Sequence, residues 1–171
     1  FHTSPDSINL NRASDGMYVD INEGFTKILG YSREDVIGKT SLSLDIWKNP
    51  QDRRRLVDEL ARNGYAENLI AEFVGKDGKI RIGMMSARIL ELGDETLFLS
   101  VTRDISKLKQ AEKALQRSEE KFRQIYENIL DIYYETNLDG IILEISPSVE
   151  KIFHYKRKEL IGKSLYEIYA N

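Results

Sequence analysis

Few side chains in this chain can do chemistry. It has two histidines, His2 and His154, and no cysteine. An imidazole can ligate a metal or move a proton near neutral pH. Either use needs a second group close by, and neither histidine has a candidate partner in the sequence. Without cysteine there can be no disulfide, thiolate metal site or cysteine nucleophile, and no metal site is expected. The chain has no Gly-x-Ser-x-Gly elbow, no Gly-rich phosphate loop and no Gly-Gly-Asp-Glu-Phe signature. Neither histidine has the acidic neighbour of a phosphate-accepting histidine. No catalytic residue is therefore expected within these 171 residues. Three features remain. Arg53-Arg54-Arg55 is flanked by Asp52, Asp58 and Glu59, so it reads as a solvated helix face ahead of an anion site. Trp47, the single tryptophan, reads as core or as the wall of a pocket. Asp104 stands just before a predicted helix, where a carboxylate favours the positive end of the dipole and could exchange partners.

The elements that would position these residues can be read from periodicity and punctuation. Ser7 to Ser14 reads as a strand, Asp15-Gly16 as a tight turn, and Met17–Ile21 as a second strand. Asn22 caps a helix with Phe25, Ile28 and Leu29 on one face, and Gly30 ends it. Ser32 and Asp35 start a further short helix, stopped by Gly38. Asn49-Pro50-Gln51-Asp52 opens a helix in which Leu56, Val57, Leu60 and Ala61 share a side, closed by Asn63-Gly64. Three strands follow: Glu67–Val74, Ile80–Leu92 after the turn at 76–79, and Thr96–Asp104 after the turn at 93–95. Hairpins with helices on one face make an α+β domain. Ser106 then caps a long helix predicted to run to about Leu130. Leu108, Leu115, Phe122 and Ile129 fall seven apart, with Ala111, Ser118 and Ile125 at the companion positions. This heptad seam favours a coiled-coil linker over a helix packed on its own domain.

Residues 1–47 recur as 125–171 at a constant offset of 124, with 11 identities and no gap. Asp15-Gly16 returns as Asp139-Gly140, Arg33 as Arg157, and Ile37-Gly38-Lys39 as Ile161-Gly162-Lys163. A period this long means two tandem copies of one domain rather than a solenoid. The second copy is expected to stop short at Asn171, leaving open strand edges and an uncovered apolar face. The formal net charge of −3, with both signs interspersed, argues against a nucleic-acid surface. No apolar run approaches the length of a membrane span. The start at Phe1, without an initiator Met or signal pattern, reads as a piece of a longer protein. A cytoplasmic location is expected, with any membrane anchor in the missing parts.

Local motifs agree with this order of elements. They are Ser4-Pro5-Asp6, the Asp15-Gly16 turn, Asn22-x-x-Phe25, the run from Gly30-Tyr31-Ser32-Arg33 to Gly38-Lys39, Trp47-x-x-Pro50-x-Asp52-Arg53, the Lys76-Asp77-Gly78 hairpin and Arg103-Asp104-Ile105-Ser106. In this order they resemble a PAS domain with its C-terminal extension, the PAS/PAC sensor module. Leu115-x-x-Ser118-Glu119-Glu120-Lys121-Phe122-Arg123 resembles the join between successive PAS domains of bacterial and archaeal sensor proteins. The resemblance implies a five-stranded antiparallel sheet cupping a small cavity under short helices. The expected domains are a sensor domain at 1–105, a helical linker at 106–130 and the N-terminal part of a second PAS domain at 131–171. Phe25, Leu29, Trp47, Leu56 and Leu60 are the expected cavity walls. Arg103, Asp104, Ile105 and Ser106 are the expected relay from sheet to helix. Leu108, Leu115, Phe122, Ile125 and Ile129 form the expected dimer seam.

The resemblance also bears on cofactors. Haem PAS sensors carry their iron ligand on the helix that here starts at Pro50, and Leu56 stands at about that position. Haem is therefore not expected. Photoreactive flavin PAS domains need a cysteine, so only a non-covalent flavin or another small ligand is compatible. The functional expectation is a homodimeric sensory module that passes a small-molecule or redox cue through the linker helix to an output domain. A sensor histidine kinase is the first expectation for that output and a diguanylate cyclase the second. The alternative is a ligand-free pair of domains that serves dimerisation and spacing.

Overall fold

The computed structural model describes residues 1–166. It divides into two compact units, Phe1–Gln110 and a second that begins at Ala111. The first is an α+β unit built on one antiparallel sheet. Its strands are β1 (Ser7–Arg12), β2 (Tyr18–Ile21), β3 (Tyr65–Val74), β4 (Ile80–Leu92) and β5 (Glu95–Asp104), in the spatial order β2-β1-β5-β4-β3. Between β2 and β3 lie α1 (Glu23–Leu29), α2 (Arg33–Val36) and α3 (Pro50–Asn63). Helix α1 packs on β1 and α3 on β3, over a core of Tyr18, Phe25, Leu29, Val36, Trp47, Leu56, Leu60, Phe73 and Met85.

Two strand boundaries differ from the sequence reading by two residues, while β2 and β5 each start one residue away from the expected position. Strand β1 stops at Arg12, because the Arg12 N–H already turns to the Met17 carbonyl and the Gly16 N–H to the Arg12 carbonyl. Strand β3 starts at Tyr65, two residues earlier than expected. A bulge between Ala66 and Leu69, with Asn68 at φ 54°, breaks the alternation that would have marked its start. On α3, Leu56 and Leu60 are buried as expected, but Val57 and Ala61 are exposed.

The helix caps anchor the fold. The Asn22 side chain accepts from Phe25 N at 2.9 Å and from Ile8 N at 2.8 Å. Its amide nitrogen lies within hydrogen-bonding distance of the Ser4 and Asp6 carbonyls. One buried side chain thus joins the N-terminal segment, β1 and α1. The neighbouring Gly24 has no room for a side chain, since a Cβ there would run into the Asp6 carbonyl. The Ser32–Asp35 capping box is closed, and Lys76 Nζ reaches Asp35 Oδ2 at 2.6 Å. The hydrogen bonds from Lys76 and the Ser32 backbone hold the Asp35 carboxyl at about 2.

The described part of the second unit repeats this pattern at smaller scale. It has β6 (Tyr134–Thr136) and β7 (Ile142–Ile145) as a two-stranded antiparallel sheet, with α5 (Ser148–Ile152) and α6 (Arg157–Leu160). Its core is Ile142, Ile145, Val149 and Leu160, while Leu143, Phe153 and Tyr155 are exposed. The sequence repeat returns bond for bond in places. Gly38 N–H donates to the Tyr18 carbonyl, and Gly162 N–H to the Ile142 carbonyl. Arg33 pairs with Asp20, and Arg157 with Glu144. His154 holds the left-handed conformation that Gly30 holds in the first copy.

In chain order, β5 is followed by the 23-residue helix α4 (Ser106–Asn128), which buries none of its residues. Leu108, Leu115, Phe122 and Ile125 are all more than half exposed. Ile129 falls one residue beyond the helix end, so the regular stripe has three members on α4 rather than four. Near its end, Tyr126 donates to Glu144 at 2.6 Å, and the Arg157 guanidinium lies over its ring. Burial and the bond to Glu144 push the Tyr126 hydroxyl up to about 12.

The Asn22 hub yields a stability prediction. Asn22→Ala removes the α1 cap and the acceptor of the Ile8 N–H at once and strands both backbone N–H groups, so it should cost about 2–4 kcal/mol. Urea unfolding of the first unit is the measurement. A loss under about 1 kcal/mol would mean that water replaces these bonds.

Candidate functional site

Between the sheet and the helices of the first unit lies a cavity of about 230 Å³. Its helix side is apolar, formed by Phe25, Ile28 and Leu29 of α1, Ile46 and Trp47 of the following loop, and Leu56 of α3. Phe73, Met85 and Phe98 continue this lining from the sheet. Four of the five expected wall residues, Phe25, Leu29, Trp47 and Leu56, therefore face the cavity. Leu60 is buried in the core but does not line the cavity, because it lies one helical turn beyond Leu56 toward the C-terminus of α3.

The sheet side is polar. Ser7, Asn9 and Asn11 alternate along β1, and the register sets them opposite Thr102, Ser100 and Phe98 of β5. Ser7, Asn9, Asn11, Ser100 and Thr102 are all buried, while the intervening Ile8 and Leu10 sit half-buried on the other face. The usual alternation is inverted, with polar groups inward. Burying such groups costs free energy unless each is hydrogen-bonded. Asn9 donates to Asn11, and Asn11 donates to the Gly16 carbonyl at 3.1 Å. Two buried polar atoms, Ser100 Oγ and Trp47 Nε1, have no partner among the described residues.

Sequence reasoning missed this row, although its period of two, Ser-Ile-Asn-Leu-Asn, is plain to see. It also misplaced Arg53. Of the three arginines only Arg53 lines the cavity, with Arg54 and Arg55 exposed. The signal was present in the spacing, because Arg53, Leu56 and Leu60 stand at i, i+3 and i+7 on one helix face. The Arg53 guanidinium closes against the β1–β2 turn, where its Nη2 would lie 3.2 Å from a Cβ placed on Gly16.

At its other end the cavity meets the root of α4. Gly83 and Asp104, paired across β4 and β5, line it. Beyond Asp104 the ladder changes character. Ile105 N–H still donates to the Ile82 carbonyl at 2.8 Å, but the Ile105 carbonyl has turned into the helix and accepts from Lys109. The Ser106 hydroxyl takes over from it and accepts from Ile82 N–H at 2.8 Å. Ser106 is therefore not the helix cap it was expected to be. Asp104 fills that role, its Oδ1 accepting from Ser106 N–H at 2.8 Å. Arg103 pairs with Asp6 at 3.0 Å and fastens β5 to the N-terminal segment.

The donor set bears on cofactors. No histidine lines the cavity, so it offers no imidazole to a haem iron, and the chain has no cysteine for a flavin adduct. The apolar walls and polar floor fit a non-covalently held small molecule. Among the described residues no group of three His, Asp or Glu could hold a metal ion, and no helix is long and apolar enough to cross a membrane.

Family models and solved structures agree with this geometry. Residues 5–107 match the model of the PAS domain, and residues 120–171 that of the PAS fold. The chain belongs to the PAS domain family and is a sensory module. It is 25% identical over 154 residues to sporulation kinase E of Bacillus subtilis, covering 88% of this chain but only 20% of that kinase. A PAS domain from Colwellia psychrerythraea superposes with a TM-score of 0.53 at 22% identity, over 63% of this chain and 92% of that one. The LOV domain of a blue-light activated histidine kinase from Erythrobacter litoralis gives 0.51 at 22%, over 60% and 98%. At these identities the likeness carries the fold.

The junction gives a direct test. Ser106→Ala leaves Ile82 N–H unpaired and should cost about 1–2 kcal/mol, whereas Ser106→Thr keeps the hydroxyl and should stay within about 0.5 kcal/mol. Urea unfolding distinguishes them. Equal losses would refute a hydrogen-bonding role for Ser106.

Proposed function

We propose that the first unit perceives a small-molecule cue in its cavity and relays it through α4 to an output domain elsewhere in the parent chain. In this reading residues 1–105 sense, 106–130 transmit, and 131–171 begin a second PAS domain. The observation that carries it is the double hydrogen bond of Ile82 to the root of α4. The cavity floor and the helix share strands β4 and β5, so a ligand that repacks the floor changes where the helix starts. Such a shift requires the ligand to bind two arrangements unequally. Arg103, Asp104, Ile105 and Ser106 form the relay.

Transmission favours a parallel homodimer along the exposed stripe Leu108, Leu115, Phe122 and Ile125. The likeness to a sporulation kinase favours a histidine kinase output, with a diguanylate cyclase as the next choice. Some similar structures are light-oxygen-voltage domains, so a non-covalent flavin stays among the candidate cues, to be read by absorbance of the purified protein. A second reading, a ligand-free pair that only dimerises, draws on the same stripe, since its exposure is independent of the cavity.

Helical phase separates the two readings. In the full-length parent, one residue inserted after Gln116 turns everything downstream by about 100°, and seven residues restore the phase while adding about 10 Å. The single insertion should uncouple or lock the output, and the seven-residue insertion should be tolerated. Equal output from both, with and without the cue, would make α4 a spacer.

A further inference from the structure

The chemistry of the cavity narrows the class of cue, on the premise that the cavity is the sensing site. Four charged residues line it: Asp15, Arg53, Arg81 and Asp104. Two are ion-paired within the protein, Asp15 with Arg12 at 3.0 Å and Arg81 with Asp77 at 3.0 Å. Asp104, at the other end of the cavity from Arg53, keeps its charge and is held by the Ser106 backbone N–H. Arg53 has no ion pair among the described residues, although Asp52, one residue before it, pairs with Arg55.

The neutral groups point the same way. Trp47 Nε1 is buried, unpartnered and able only to donate. A guanidinium also only donates. The Ser100 hydroxyl, unpartnered and 1% exposed, can do either. The residues that carry these two donor-only groups and one hydroxyl all line one cavity, a set that calls for a ligand rich in acceptors. Around them, Phe25, Leu56, Phe73, Met85 and Phe98 offer only apolar surface. The volume of about 230 Å³ equals roughly eight waters at about 30 Å³ each, enough for one ring or a short chain with a polar head.

We propose that the cavity binds a small carboxylic acid with a compact apolar body, its carboxylate answered by Arg53 and its remaining acceptor capacity by Ser100 and Trp47. A cation would meet Arg53 unfavourably. A neutral isostere would keep the apolar contacts and lose the charge-assisted bond.

The test uses the 171-residue protein and a fixed panel: benzoate, phenylacetate and hexanoate, each with its matched primary amide and amine. Titrations are read by fluorescence of the single tryptophan, Trp47, and by calorimetry, with circular dichroism and urea unfolding to confirm folding. At least one acid should bind about tenfold or more tighter than its amide, and its amine should not bind. Arg53→Gln should remove that tenfold preference while leaving amide affinity within about twofold. Ser100→Val should weaken acid and amide alike, with Ser100→Ala as the substitute if the valine variant does not fold. An amide that binds as well as its acid, or an acid preference that survives Arg53→Gln, overturns the carboxylate assignment and leaves a sensing cavity in place. If no panel member binds and mass spectrometry of the purified protein finds no co-purified small molecule, both the assignment and the sensing premise fail.

Discussion

The first unit depends on the way one residue of β4 uses its backbone. Ile82 accepts from Ile105 N–H and donates to the Ser106 hydroxyl. A chain leaving a sheet to start a helix must turn its carbonyls along the new axis, which strands the N–H groups of the neighbouring strand. Here the Ile105 carbonyl goes to the helix, and a serine side chain fills the place it leaves. The helix root is thereby still part of the ladder. Asp104, one residue before Ile105, accepts the Ser106 N–H with its carboxylate and is also a cavity-lining residue.

The cavity is held open by a related tension. Its floor is built from hydroxyl and amide side chains where a plain core would place valine or leucine. Asn9 donates to Asn11 and Asn11 to the Gly16 carbonyl, while Ser100 and Trp47 keep polar atoms without a partner among the described residues. Each unmet group costs about 1–3 kcal/mol. This floor gives up stability relative to an apolar one and gains a place for hydrogen-bonding groups. The Asn22 hub, the Ser32–Asp35 box and the Asp35–Lys76 pair lie away from the cavity and hold the frame around it.

Much of this could be read from the chain. Caps and turns at Asn22, Gly30, Asn49 and Gly64 punctuate the fold because each satisfies a local backbone demand that the sequence displays. The repeat was legible for the same reason, since the same local bonds recur 124 residues later. The cavity floor was not. Strand periodicity tells which residues share a face but not which face is inward, and polar residues are ordinarily assigned to solvent. Arg53 was lost to the company of Arg54, Arg55 and their acidic neighbours, where composition spoke louder than spacing. Ser106 was read as a cap because a serine before a helix usually is one. Its bond to Ile82 is a contact across 24 residues, which no local rule contains.

The central claim is that the cavity floor and the root of α4 open and close as one element. Amide hydrogen exchange at Ile82 and Ile105, in the native protein and in Thr102→Val, addresses it most directly. Thr102 lines the cavity on β5 and is far along the chain from Ile82. If the claim holds, the two amides exchange with the same opening free energy in the native protein, and both shift together in the variant. If Ile105 exchanges like a fraying helix end, independent of Ile82 and indifferent to Thr102→Val, the floor and the helix are separate, and no cue in the cavity could be relayed by this junction.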